Sequence, residues 1–487
     1  MNKIKQSKPL FYLIIFISVF IIISFRFLPP PDGLNQSAMA VIGTFLGVLI
    51  LWLTISIDWP SLLCILSLGT ISGLDFKSMF SVSFGSDTFI FLLCTFICTY
   101  ALSKTSLIKR VALWFISNKL AKKGPWWFTM LFFFSVIFLG MFISPSVLFV
   151  VLLPILEEIY QIAKIEKGSK LGAMLMMGLA FCVSISSGMT PIAHIFPIIS
   201  LGICEQISGI TINYGSYMAI AIPIGIILTI LMILIFKFVL RPNMSKLKDI
   251  NLDEIKCKLP KNSKSDYWIL GIFIFTVILW VLPSLLQNIC NEFYTLLNGY
   301  GTAFPAIIGV ILLCIIKFDN KPLVSISDAC KNGVPFSSLI MCAGTLALGS
   351  AMTNENIGLK NFLVDSISNA LESNPLSLFV LFLIFIVWET IQTNLSSNMV
   401  TATVVTTVAV PILLATGSTE FVLISAVAIG MLSSFAFVTS PSMPHIAISC
   451  SSNYTNTKQI FLYGSFLAIL AIILTISLGL GIGIVIF

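Results

Sequence analysis

The sequence predicts an all-α protein that crosses a membrane many times and is built as an inverted repeat. Three observations carry this reading. The 487 residues are 57% hydrophobic and only 10% charged, against roughly 25% charged in a soluble domain. The apolar residues fall in runs near the roughly 20 residues that cross a bilayer. The two halves of the chain also carry the same order of breaks.

The elements follow from the runs and their interruptions. Apolar spans are expected at 9–28, 37–56, 60–74, 87–103, 126–143, 146–162, 171–207, 216–240, 266–286, 302–317, 334–352, 376–395, 399–416, 420–450 and 459–486. The first follows Lys3, Lys5 and Lys8. It resembles a signal segment, but prolines 29–31 stand where a small-residue cleavage site would be, so it reads as an uncleaved span. The runs 126–143 and 146–162 meet at Ser144, Pro145 and Ser146 with no soluble loop. The runs 376–395 and 399–416 meet at Ser396, Ser397 and Asn398 in the same way. The runs 171–207 and 420–450 are each interrupted near the middle by Ser, Thr, Pro and His.

Charge orders these elements. With a cytoplasmic N-terminus and both tight pairs read as re-entrant hairpins, the inside segments hold 24 of the 27 Lys and Arg. Only Arg26, Lys77 and Lys360 fall outside. The positive-inside rule thus favours about 11 spans plus two hairpins, 126–162 and 376–416, and two broken helices, 171–207 and 420–450. The net charge of +7 is a matter of topology and gives no cause to invoke nucleic acid. The chain divides into an N-terminal span (1–35), a first repeat (36–240), a basic cytoplasmic linker (241–265) and a second repeat (266–487).

The repeats correspond in position. Ser144 and Ser397 are 253 residues apart, Pro154 and Pro411 are 257 apart, and His194 and His445 are 251 apart. The hairpins open to opposite faces, which is the signature of a secondary transporter with an inverted repeat.

Chemistry is expected where backbone leaves the helix at membrane depth, since such backbone is tolerated only when buried in protein or lining a cavity. Four places qualify: 143–146, 184–194, 393–398 and 439–445. None contains Lys or Arg. An anion there would be held by hydroxyls, amides and helix N-termini, which present unpaired N–H groups. Exposed carbonyls and hydroxyls at the same breaks suit a small cation. Any one tip is equally a turn that satisfies its own backbone; four, paired across two repeats, point to a ligand site.

His194 and His445 are the only histidines and fall at equivalent places. They suit substrate contact or proton linkage, or a structural bond to an orphan carbonyl. Glu389, eight residues before Ser397, is an acid at membrane depth and a candidate for coupling an ion or a proton, unless it is solvated near an interface. The eleven cysteines form no CxxC pair and read as small buried hydrophobes, with no metal site.

These stretches resemble the divalent anion–sodium symporter family, which includes dicarboxylate and citrate carriers. Residues 51–62 and 84–118 are family-like. The family carries a Ser-Asn-Thr signature at each hairpin tip, then an apolar arm ending in Leu-Pro-Ile, then a Thr-Pro break. Here Ser144 and Ser146 match the first tip's hydroxyls, with Pro145 in place of Asn. Ser397 and Asn398 match the second, with Met399 in place of Thr and Asn394 in place of a Glu. Thr190 and Pro191 resemble the first break; Ser440 and Pro441 approximate the second. His194 and His445 stand where the family's breaks end differently.

The resemblance implies a homodimer in the cytoplasmic membrane. It carries a small anion, a di- or tricarboxylate, by an elevator motion with sodium coupling and no other cofactor. Substrate contact would fall to Ser144, Ser146, Thr190, Pro191, His194, Ser397, Asn398, Ser440, Pro441 and His445. Ion coupling would fall to Ser144, Ser146, Gly188, Glu389, Asn394, Ser397 and Asn398, with sodium near Ser144 and Ser397. The alternatives are a sodium-independent or proton-coupled anion exchanger and, from another class, an anion channel. An intramembrane hydrolase using Ser and His is less economical, because the same residues recur at paired breaks.

Overall fold

The computed structural model describes residues 8–248, 263–286, 299–359, 362 and 376–487. Lys3, Lys5, Lys360 and linker positions 249–262 lie outside them. The described residues are almost wholly helical, apart from a two-residue antiparallel ribbon, Lys317–Phe318 with Lys321–Pro322.

The first half begins with α1 (Lys8–Ser24), α2 (Gln36–Thr54), α3 (Trp59–Leu68), α4 (Phe76–Ser83), α5 (Asp87–Ser103) and α6 (Leu107–Ile116). It continues with α7 (Pro125–Gly140), α8 (Pro145–Ile162), α9 (Lys170–Met189), α10 (Ile195–Ser208) and α11 (Tyr214–Ile235), the last extended by a π-turn to Leu240. The second half begins with α12 (Lys264–Leu286), α13 (Ala303–Ile315), α14 (Ile326–Asn332) and α15 (Phe336–Thr353). It ends with α16 (Leu376–Leu395), α17 (Asn398–Ala415), α18 (Thr419–Ser434), α19 (Pro444–Ser451), α20 (Thr457–Leu474) and α21 (Leu480–Ile486).

Among the described residues, nine helices are long and apolar enough to cross a membrane, and six shorter apolar helices accompany them. Two expectations change. The stretch 104–125, read as a loop, contains α6, whose apolar side Leu107, Ile108, Ala112, Leu113 and Ile116 is buried; its Lys109 and Arg110 masked the amphipathic period. The helix α4 precedes α5 at a bend of 45°, because Asp75 caps α4 and Ser86 caps α5 within one apolar region.

α9 is the axis of the core. Every residue from Leu171 to Met189 is buried. Its small residues permit this: a Cβ on Gly178 would lie 2.0 Å from the Phe133 ring of α7. By contrast, only 28% of the spanning window of α12 is buried, leaving Tyr267, Trp268, Ile274, Phe275 and Ile278 exposed on an apolar surface. Apolar residues exposed on this scale are what lipid-facing helices show.

Candidate functional site: four breaks joined by hydrogen bonds

Each tight pair turns in a few residues. α7 ends at Gly140 and α8 starts at Pro145, whose missing N–H costs nothing at a helix start. α16 ends at Leu395 and α17 starts at Asn398. The two long runs do break, but not at the expected limits: α9 stays helical through 184–189, stops at Met189 and α10 resumes at Ile195, while α18 stops at Ser434 and α19 resumes at Pro444 after a short turn, Ser440–Ser442.

The four breaks are tied to one another. Thr190 Oγ1 donates to the Met141 carbonyl, joining the first break to the first tip. Thr439 Oγ1 donates to the Asn394 carbonyl, joining the second break to the second tip. Met141 and Asn394 each lie three residues before the tip serine. Two further bonds cross between the halves. Ser184 Oγ on α9 is 2.7 Å from His445 Nε2, and Ser434 Oγ on α18 is 2.9 Å from His194 Nδ1. Each histidine therefore leans on the helix that precedes the other's break.

Helix starts along the chain are of two kinds, capped by a side chain and uncapped. Asn35, Asp75, Ser86, Ser169, Asn213 and Asn456 each accept a first-turn N–H of the helix they open. At α8, α10, α17 and α19 the N-cap residues Ser144, His194, Ser397 and Met443 provide no such cap, as is also true of Gly124, Thr302, Ser325, Pro335 and Ser418 at other helix starts. The starts of α8, α10, α17 and α19 keep the positive end of the helix dipole facing the cluster.

The site residues divide by what they already bond. Ser144 and Ser397 are half-buried, Ser146 is exposed, and none of the three makes a side-chain hydrogen bond among the described residues. Asn398 is 6% exposed; its Nδ2 donates to the Ser433 carbonyl at 3.2 Å. Thr190 and Pro191 are buried, Ser440 is half-buried and Pro441 is exposed. His445 is 1% exposed with Nδ1 unpartnered, and its ring lies 5.8 Å from that of Phe149.

Two expected ion contacts are otherwise engaged. Asn394 Oδ1 accepts the N–H groups of Phe437 and Val438 at 2.9 and 2.8 Å, and its Nδ2 donates to the Thr390 carbonyl at 2.8 Å. Its side chain holds the second break in place. Gly188 lies inside α9, and its carbonyl accepts the Tyr217 hydroxyl at 2.7 Å. A Cβ there would come 2.7 Å from the Met431 carbonyl, so glycine lets α9 and α18 touch.

Glu389 is fully buried and not solvated at an interface; its Oε1 is 2.7 Å from Ser433 Oγ. Ser433 and Ser434 were not singled out from the sequence. The pair Ser184 and Ser434, 250 residues apart, carried the signal, since that offset matches the histidines. Among the described residues, no three His, Cys, Asp or Glu side chains gather as a metal site.

Comparison with known proteins agrees with this architecture. The sequence model of the sodium:sulfate symporter transmembrane region matches residues 7–487. The chain is 24% identical over 388 residues to the sodium-dependent dicarboxylate transporter SdcS of Staphylococcus saprophyticus, covering 77% of this chain and 73% of that one. It is 26% identical over 280 residues to the inorganic phosphate transporter PHO87 of Saccharomyces cerevisiae, covering 56% of this chain and 26% of the yeast protein. The fold resembles the YdaH transporter of Alcanivorax borkumensis, with a TM-score of 0.56 at 15% identity over 84% of this chain and 88% of that one. It also resembles MtrF of Neisseria gonorrhoeae, with a TM-score of 0.53 at 13% identity over 96% and 94%. Transporters, not enzymes, are what it resembles, and a match over nearly its whole length makes this multi-pass membrane chain a member of the sodium:sulfate symporter family.

Proposed function

We propose that the protein is a secondary active transporter of a small anion, a di- or tricarboxylate, and that the joined breaks are its binding site. The observation that supports this best is the cluster itself. Four non-helical segments are linked by four hydrogen bonds, four helix starts lack side-chain caps, and Lys and Arg are absent. Fixed dipoles without a full counter-charge bind an anion weakly enough to release it. Ser144, Ser146, Ser397, Asn398, Ser440 and the free edge of His445 offer hydroxyl, amide and imidazole contacts. Thr190, Pro191, Pro441 and His194 shape the breaks around them.

Sodium is the coupling ion on this reading. The family description and the name of the staphylococcal relative support it. So do the open oxygens of Ser144, Ser146, Ser397 and Asn398 Oδ1, hard donors of the kind alkali ions take. The matched contacts at the two tips support an inverted repeat with re-entrant hairpins. In an elevator motion the hairpins and broken helices would move as one body past a dimeric scaffold in the cytoplasmic membrane. The distribution of Lys and Arg supports a cytoplasmic N-terminus.

Uptake of labelled succinate into proteoliposomes, with and without an inward sodium gradient and with and without internal succinate, tests the proposal. Sodium-driven accumulation is expected. Uptake only against internal anion would make the protein an exchanger. Absence of uptake for succinate, citrate, sulfate and phosphate alike would overturn the proposal, and a flux that never saturates would identify a channel.

A further inference from the structure

We infer that Glu389 is a proton-binding site whose occupancy is linked to the second tip, so that anion movement is tied to a proton; this rests on the transporter reading above. Ser433 Oγ lies 2.7 Å from Glu389 Oε1 and 2.7 Å from the Ile429 carbonyl. A serine hydroxyl has one proton, and a carbonyl oxygen or an ionised carboxylate can only accept. One proton shared between both acceptors would leave two bent, weakened bonds; two full hydrogen bonds form when Glu389 supplies the second proton, its O–H donating to Ser433 Oγ while Ser433 donates to Ile429. The remaining oxygen, Oε2, is buried with no partner among the described residues. A neutral carbonyl oxygen tolerates that far better than half of a full charge does.

Among the described residues, the elements packed on α16 supply no neighbouring counter-charge. Glu389 is the only ionisable residue of α16. The elements packed on α16 are α17, α18, α20 and the Ser440–Ser442 turn. α17 and the turn have no ionisable residue. On α18 there is Glu420, in the first turn and thirteen residues before Ser433, roughly 20 Å along the helix. On α20 there are Lys458, exposed at its start, and Tyr463, whose ring packs on Phe236. His194 is held by Ser434, next to Ser433 in the chain. An ionised carboxylate buried without a partner charge is strongly disfavoured, so the acid form is the one this packing accepts.

Ser433 also connects this proton to the tip. Its carbonyl accepts Thr393 Oγ1 at 3.0 Å and Asn398 Nδ2 at 3.2 Å. One residue is therefore held by Glu389 at its hydroxyl and by the tip asparagine at its carbonyl. The step is a simple protonation. Glu389 carboxylate takes H⁺ from water on the side to which the site is open and becomes the neutral acid. Release to water on the other side reverses it, and the ionised form moves Ser433 Oγ off Ile429.

Two measurements test this. Infrared difference spectroscopy of the purified protein in H₂O and D₂O should show a protonated-carboxyl C=O band that Glu389→Gln removes. Ser433→Ala should move that band to higher frequency by taking its hydrogen-bond acceptor. No band lost in Glu389→Gln would overturn the proton assignment, whatever the substrate. In proteoliposomes with a trapped pH dye, succinate exchange by the wild type should slow as pH rises on both sides, and inward succinate should acidify the lumen. In Glu389→Gln both dependences should vanish. A variant whose exchange keeps the wild-type pH profile would overturn the coupling. If no anion exchanges while the carboxyl band behaves as expected, the transporter reading fails and the proton site stands.

Discussion

At the first tip the chain turns through 141–144 with one side-chain bond, from Thr190 to the Met141 carbonyl. At the second tip Asn394, Thr393, Asn398 and Thr439 make six, three of them from Asn394 alone. Shape replaces hydrogen bonds at the first tip. Pro145 fixes the start of α8, and Gly140 lets α9 approach so closely that a Cβ would lie 1.9 Å from Ser186 Oγ and 2.6 Å from Ser186 Cβ. The shared contact, a break threonine on the carbonyl three residues before a serine, is thus reached by steric fit in one half and by buried amides in the other. The lesson is that correspondence in position need not carry correspondence in cause, so the two tips should fail in different ways.

The largest difference should come from Asn394→Ala. It strips the acceptor from the buried Phe437 N–H and the partly buried Val438 N–H. Each orphaned group costs about 1–3 kcal/mol, so a loss of roughly 2–4 kcal/mol is expected, read as a fall in Tm of the purified protein in detergent. The counterpart at the first tip, Met141→Ala, should cost less, because the threonine bonds its backbone carbonyl and not its side chain. Equal losses would show that the amide does not hold the second break.

Next is Gly140→Ala, which should cost about 1–3 kcal/mol through overpacking against Ser186. Ser186→Ala in the same chain removes the hydroxyl but leaves Cβ in the way, so it should restore only part of the Tm. Complete restoration would mean that the helices part easily and that the first tip is not held by fit.

Much of this was legible in the sequence. The tight pairs, the broken runs and the offset near 250 residues are read from apolar runs and polar interruptions, and the helix limits follow them within a few residues. The roles within the cluster were less legible. Asn394 occupies a position where an ion contact was expected, but only the folded chain shows that it bonds Phe437 and Val438, more than forty residues on. Ser184 reads as the start of the first break although α9 runs on through it, and Ser434 looks like an ordinary helical serine until His194 arrives from the other half. α6 was hidden because two basic residues on its outer side interrupt an otherwise apolar stripe.

The crossed pairs sharpen the comparison further. Ser184→Ala should leave His445, with Nδ1 already unpartnered, without any ring bond in a site 1% exposed. A loss of about 1–3 kcal/mol is expected. Ser434→Ala affects His194, which is only half-buried and can exchange its bond for water, so about 0.5–1 kcal/mol is expected. Matching losses in thermal unfolding would mean that the two histidines sit in equivalent surroundings after all.

The smallest effect on folding should come at the tip serines themselves, and this is where the halves should agree. Among the described residues the hydroxyls of Ser144 and Ser397 make no hydrogen bond, so Ser144→Ala and Ser397→Ala should each leave stability within about 0.5 kcal/mol. Both serines sit at the tips, and on the proposed function each lost contact to a bound anion is worth about 1 kcal/mol, or roughly a fivefold rise in KM for uptake. A variant that loses Tm and keeps its KM would show that its serine only completes a turn. If only one tip behaves so, the anion is held from one half, and the uncapped helix start of the other serves the coupling ion instead.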